Sequence, residues 1–205
     1  EKILKNPEIK NWVKIPKSLK INLEFVSANP TGPLTLANGK GGFYGDVLAN
    51  ILSEVGHDVT REYYINDAGN QIKLLGESIL ASEGKIPQKE EYYKGEYIKD
   101  LHNKSSEEAT KILLNKIKKS LKNAGIKFNV WFSEEENLRK KEKPKKTLDI
   151  LKQKNVLEKK DSAFWLAGHV LIKSDGNPTY FLSDLAYHYD KFIDRNFDLA
   201  INIWG

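Results

Sequence analysis

From Lys20 to Val26 apolar Ile21, Leu23 and Phe25 alternate with polar neighbours, which predicts a strand with one face buried. The alternation ends in a loop punctuated by Pro30, Gly32 and Pro33. Apolar residues then return at helical spacing, at Leu34, Leu36, Phe43, Val47, Leu48, Ile51, Leu52 and Val55, with Gly56 placed to stop the helix just past its C-cap. A second strand is expected over Asp58 to Ile65, then an Asn-Asp-Ala-Gly loop and a helix from Asn70 to Ser82. Strand, helix, strand, helix predicts an α/β fold with a right-handed parallel sheet.

Residues 83 to 104 are polar and tyrosine-containing and read as a surface excursion. Ser106 as N-cap, an acidic first turn, an amphipathic body and Gly125 as a stop define the next helix. Residues 126 to 132 alternate as a strand, and the lysines around Pro144, residues 140 to 146, read as a linker. A hairpin is expected in FWLAGHVLIKSDGNPTYF with Asp175-Gly176 as its turn, and a buried strand from Phe197 to Trp204.

The chain has 205 residues, 40% hydrophobic and 30% charged, enough for one large domain or one domain with an insertion. No apolar run approaches the roughly 20 residues of a membrane span, and EKILKNPEIK at the N-terminus lacks a signal-peptide apolar stretch. The absence of cysteine excludes disulfides, thiolate catalysis and cysteine zinc sites, as expected of a cytoplasmic protein. The four histidines, His57, His102, His169 and His188, have no metal-ligand spacing, so no metal site is assigned. A net charge of +5 modestly favours a polyanionic partner. There is no methionine, and the chain stops at Gly205 straight after a strand, so it is expected to be part of a longer protein.

Gly39, Gly41 and Gly42 fall in the first turns of the first helix, where each costs roughly 1 kcal/mol relative to alanine. Two readings stay open: bare backbone at a helix N-terminus lets a phosphate or an adenine ring approach, or the glycines let the helix pack closely on the sheet. Ser27 and Asn29 stand at a strand end, where open α/β sheets bind ligands, though short polar side chains also bond locally in turns. Trp131, Phe132, Trp165 and Tyr180 are expected to fill core, and the run Arg139 to Lys146 to be solvated rather than to grip a nucleic-acid backbone.

EFVSANPTGPL, then EYYINDAGNQI at 62 to 72, WFSEEENL at 131 to 138 and SDGNPTYFLSDLAYH at 174 to 188 together resemble, in order, the catalytic domain of bacterial arginyl-tRNA synthetases, which are class I aminoacyl-tRNA synthetases. The resemblance implies a Rossmann-like parallel sheet with helices on both faces, carrying an inserted connective segment. Residues 1–19 would be a lead-in, 20–82 the first half of the catalytic domain, 83–173 the insertion and 174–205 the start of an incomplete second half. The family's second ATP motif and its helical anticodon-binding domain would follow Gly205, and this piece alone would not charge tRNA.

The resemblance also implies site roles. A guanidinium matches a carboxylate's two oxygens, and the family's pattern assigns it to Asp184 with Tyr180 beside it, four residues apart, assisted by Glu24. Ser27 and Asn29 would hold the substrate's amino and carboxylate groups. ATP would lie along Pro30, Gly32, Pro33, Leu34, Thr35, Ala37, Asn38, Gly39 and Gly41, with Thr35, Asn38 and Lys40 as catalytic groups. The family usually has His-Ile-Gly-His where this chain reads Thr35, Leu36, Ala37, Asn38. Two imidazole donors become neutral ones, and the Ala37 methyl sits where a glycine admits adenine; loss of one such donor costs on the order of 100-fold in rate. The implied partners are L-arginine, ATP with Mg²⁺ on its phosphates, and tRNA(Arg), with no prosthetic group, no membrane and a monomeric state. The alternative is a non-catalytic arginine- or nucleotide-binding module derived from a synthetase.

Overall fold

A computed structural model describes residues 15–204. Of the expected lead-in over 1–19, residues 1–14 lie outside the described residues. In chain order the elements are β1 (Lys20–Phe25), α1 (Leu36–Glu54), β2 (Asp58–Ile65), α2 (Asn70–Ser82), α3 (Glu96–Lys99), α4 (Ser106–Asn123) and β3 (Val130–Ser133). A π-helical turn (Glu135–Arg139) leads to α5 (Lys143–Gln153), β4 (Glu158–Lys160), β5 (Ala163–Leu166), β6 (His169–Ile172), α6 (Tyr180–Tyr189), a second π-helical turn (Asp190–Asp194) and β7 (Leu199–Ile203). Two compact units result: residues up to Glu134 together with 200–204, and Glu135–Leu199. Residues 83–134 thus belong to the first unit and 135–173 to the second.

The first unit is built on a four-stranded parallel sheet ordered β3-β2-β1-β7. Leu23 lies opposite Arg61 on β2, and Tyr63 opposite Trp131 on β3. Leu23, Phe25, Tyr63 and Ile65 make a core with Ala49 of α1 and Ile117 and Leu121 of α4. Helix α1 approaches this sheet so closely that a Cβ on Gly45 would stand 2.2 Å from the Phe25 ring, and one on Gly42 would stand 2.7 Å from Ile126 Cδ1. Several larger apolar residues are therefore turned away from the core: Phe43, Val47 and Ile51 are each more than half exposed and Leu36 is 92% exposed. The stripe at helical spacing is thus only partly the packing face of α1: Leu48 packs against the core, but the closest contacts are made by Gly42, Gly45 and Ala49. At its C-terminus His57 N donates to Leu52 O and Gly56 N to Ser53 O, with Gly56 at φ 106, the expected glycine stop.

The polar face of β1 is also covered. Asn22, Glu24 and, opposite Glu24, Glu62 are buried, so the alternation marks an apolar and a polar buried face instead of a wet one. Residues 83–104 are mostly at the surface, as expected, but they are anchored: Ile98 and Leu101 join Leu75 and Ile79 of α2 and Ala109 and Leu113 of α4 in a second apolar cluster. The N-cap of α4 is Ser105, one residue earlier than expected, in a reciprocal box with Glu108.

In the second unit the expected lysine linker at 140–146 leads into helix α5, with Pro144 in its first turn, where no backbone donor is needed. The hairpin β5–β6 turns at Ala167-Gly168, both at positive φ, instead of Asp175-Gly176. Asp175-Gly176 makes a separate turn that returns Pro178 to Ile172, and β4 adds a third antiparallel strand. Alanine rarely takes positive φ, so the first turn had no signal, whereas Asp-Gly gave a strong one.

Candidate active site

The loop after β1 starts with a strained turn. Val26 has φ 66 and Ser27 φ 39, and Ser27 N donates to Phe25 O at 2.9 Å across Val26. A three-residue turn with a β-branched residue at positive φ is costly and persists only where its surroundings over-determine it. The surroundings do so. Ser27 Oγ donates to Glu24 Oε1 at 3.1 Å and accepts from Tyr64 N at 3.0 Å, while the Tyr63 hydroxyl donates to Ala28 O at 2.7 Å. Burial pushes the Tyr63 phenol far up, against the smaller lowering by its bond to Ala28, so it stays a neutral donor. Glu24, Ser27 and the turn are thus one hydrogen-bonded unit, and Asn29 beyond it is exposed.

Pro30 and Thr31 are buried, Pro33 and Ala37 are exposed, and Leu34 packs against the first core. Thr35 is the N-cap of α1. Its backbone N donates to Asn38 Oδ1 at 2.9 Å, its hydroxyl donates to the same oxygen at 2.8 Å, and Asn38 N donates to its Oγ1 at 3.3 Å. This box uses the Thr35 proton and the Asn38 carbonyl oxygen, leaving the Asn38 Nδ2 group to donate elsewhere. Lys40 is exposed. A Cβ on Gly39 or Gly41 would meet nothing within 4 Å, whereas Gly42 and Gly45 are required by packing. The two readings of the glycines therefore divide between them: Gly42 serves contact with the core, and Gly39 and Gly41 leave bare backbone facing open space.

The Asn66 to Gln71 segment is tied to the end of β3. Ser133 Oγ donates to Asp67 Oδ2 at 2.6 Å, and the Asn66 amide, in its satisfied orientation, donates to Glu134 Oε2 at 3.2 Å and Ala68 O at 3.3 Å. Gly69 at φ 74 starts α2.

In the second unit Tyr180 and Asp184 share α6, with Tyr180 60% exposed and Asp184 exposed. Thr179 precedes the helix, but its hydroxyl donates to Val170 O at 2.6 Å, and Asp184 stands in the second turn of α6. His188 Nδ1 donates to the Asp184 carbonyl at 2.9 Å, which fixes the imidazole on the helix. Asp190, buried, pairs with Lys143 and with Arg195 Nε at 2.6 Å, while Lys143 also reaches Asp194 at 2.7 Å. Sequence reasoning missed Val26, Asn22, Glu62 and Tyr63. A positive φ at valine leaves no trace in sequence, and polar residues at alternate strand positions ordinarily mean solvent.

Fold and site together define a Rossmann-like α/β domain whose first strand enters a glycine-rich helix through a strained, polar turn. No family profile matches the chain. The chain is 44% identical to an arginine–tRNA ligase of Carboxydothermus hydrogenoformans over 91% of its own length and 39% of that protein, and 41% identical to that of Acetivibrio thermocellus over 99% and 42%. Its backbone matches a Campylobacter jejuni protein described as an arginyl-tRNA synthetase with a TM-score of 0.83 at 34% identity, over 100% of this chain and 51% of the other. The Thermus thermophilus arginyl-tRNA synthetase, 20% identical with a TM-score of 0.60, shares the fold. Over nearly its whole length the chain is thus homologous to part of the arginine–tRNA ligases, and it spans about two fifths of the length of the curated relatives it matches.

Proposed function

We propose that this chain carries the arginine- and ATP-binding part of an arginine–tRNA ligase. In that reaction the arginine carboxylate attacks the α-phosphate of ATP, giving arginyl-adenylate and pyrophosphate; the arginyl group then passes to the 3′-terminal adenosine of tRNA(Arg), releasing AMP. The observation that carries the reading is the over-determined turn at Val26 and Ser27 beside the bare backbone of Gly39 and Gly41. Val26 itself packs on the core, but the missing side chains at Gly39 and Gly41 have no packing value, and bare backbone beside a strained turn suits a ligand at the C-terminal end of a parallel strand.

Glu24, Ser27 and Asn29 would hold the amino-acid end, with Tyr180 and Asp184 receiving the guanidinium. Pro30, Gly32, Pro33, Leu34, Thr35, Ala37, Asn38, Gly39 and Gly41 would line the nucleotide, and Thr35, Asn38 through its Nδ2 and the Lys40 ammonium would act on its phosphates. Mg²⁺ would arrive on those phosphates, coordinated mainly by them and by water. No helix among them is long and apolar enough to cross a membrane; the reading places the protein in the cytoplasm as a monomer.

A second reading has its own support. The capping box occupies the Thr35 hydroxyl and no imidazole is present at either position, which favours a module that binds arginine or nucleotide without activating it. The test is charging of tRNA with labelled arginine by the complete product of the gene, beside an Asp184→Ala control, with arginine titrated into the present chain. Charging abolished by the substitution is the result expected of the ligase. Arginine binding without charging leaves the module, and neither by folded protein overturns both.

A further inference from the structure

The loop of Pro30 to Thr35 is held by a tyrosine from outside the sheet. Tyr97 Oη donates to the Thr31 carbonyl at 3.0 Å. Its ring lies between two glycines: a Cβ on Gly32 would stand 3.3 Å from Tyr97 Oη, and one on Gly95 would stand 3.3 Å from Cδ1 and Cε1 of the same ring. Both distances are tighter than ordinary van der Waals contact, so a methyl on either side would press the ring out of place. Gly95 also sits at φ 131, a conformation open in practice only to glycine.

The tyrosine is itself well anchored. The next residue, Ile98, is 1% exposed in the cluster formed with Leu75, Ile79, Leu101, Ala109 and Leu113, and Tyr97 packs against that cluster. Four residues before it the Tyr93 hydroxyl donates to the Gln71 side chain and Tyr93 N to Ser78 Oγ at 2.9 Å, tying the segment to α2. A rigid body of helices thus reaches across to one carbonyl of the glycine-rich loop, whereas the start of that loop, at Ala28, is held from the sheet by Tyr63.

We propose that Tyr97 is a positioning residue: its hydroxyl, on a ring held between Gly32 and Gly95, sets the Thr31–Thr35 loop in the conformation that receives the nucleotide. The inference rests on the reading of that loop as the nucleotide site. It separates two controls on neighbouring parts of one site, Tyr63 for the amino-acid end and Tyr97 for the nucleotide end.

The test uses the present chain with Tyr97→Phe, which keeps the ring and removes the single donor, and with Gly32→Ala, which crowds the ring from the loop side. Three quantities are read: melting temperature, backbone amide resonances of Thr31, Gly32 and Leu34, and affinities for AMP-PNP and for arginine measured separately. For Tyr97→Phe the loop resonances should move, AMP-PNP affinity should fall about fivefold to tenfold, as expected for one hydrogen bond, and arginine affinity should stay within about twofold. Gly32→Ala should move the same resonances with the same split between the ligands. Unmoved loop resonances overturn the proposal, as does an equal loss of both affinities that merely follows the melting temperature. If the unaltered chain binds no AMP-PNP, the nucleotide reading fails by itself, and the loop resonances alone then decide whether Tyr97 sets the loop.

Discussion

A glycine in a helix is explained by what a methyl would meet, and α1 offers both outcomes within seven residues. Gly39 is open, so Gly39→Ala should raise stability by about 1 kcal/mol through helix propensity, or about 2–4 °C in melting temperature for a chain of this size, while weakening nucleotide binding. Gly45 is closed, its Cβ position lying 2.2 Å from Phe25, so Gly45→Ala should destabilise by about 1–3 kcal/mol. Thermal melts of the two variants check the pair, and the same sign for both would mean that the helix does not sit where it is described. Asn22 makes the opposite kind of statement. Its side chain is fully buried in β1, and neither its Oδ1 nor its Nδ2 has a hydrogen-bond partner among the described residues. An amide left so costs about 1–3 kcal/mol, and Asn22→Leu, similar in volume, should raise the denaturation midpoint accordingly. A fall in the midpoint would mean that the amide does have a partner, and the polar face of β1 would then be a satisfied network.

Elements are decided by their ends and by what they face, and those two levels were unequally legible. The β1, β2 and α2 boundaries follow from period-2 runs and loop residues, and Gly56 and Gly125 stop their helices as their positions predict, both at positive φ. The facing of α1 was only partly legible: Leu48 packs on the core as a stripe implies, but a helix pressed on the sheet through glycine and alanine leaves Phe43, Val47 and Ile51 outside. Helix α5 was missed because lysines and a proline read as linker, although Pro144 suits a first turn and Lys143 is held by Asp190 and Asp194. Two substitutions probe these points. Val47→Lys with Ile51→Lys should leave stability within about 0.5 kcal/mol, as for other exposed positions; the amphipathic reading would instead forecast several kcal/mol lost. Thr35→Ala removes the cap and its reciprocal bond and should cost about 1 kcal/mol, read by urea denaturation.

At the scale of the molecule, what the sequence carried was a set of local signatures, each legible where its residues are contiguous. The glycine-rich loop, the Asn66 to Gln71 turn and the Tyr180–Asp184 pair are all short runs. What stayed hidden depends on distant partners: Tyr63 reaching Ala28, Tyr97 reaching Thr31, and the acid–base cluster of the second unit, whose members are 47 residues or more apart along the chain from Lys143. That cluster gives the second unit its own response to pH. Burial would by itself lower Lys143, but its hydrogen bonds to Asp190 and Asp194 outweigh burial and raise it above the ordinary lysine value of 10.5. A raised folded-state pKa stabilises fully below the unfolded value, and the gain is lost as pH climbs through the folded one. Tyr63 acts with the same sign from the first unit, since its phenol ionises near 10.0 when unfolded and only far higher when buried. The folded chain should therefore weaken steadily above about pH 10. Lys143→Met removes one of these causes: it should start about 1–3 kcal/mol less stable at neutral pH, with buried Asp190 left to Arg195, and its decline between pH 10 and 12 should be shallower than that of the unaltered chain. Denaturant midpoints followed by circular dichroism across that range decide it, and parallel curves would show that Lys143 is not the titrating group.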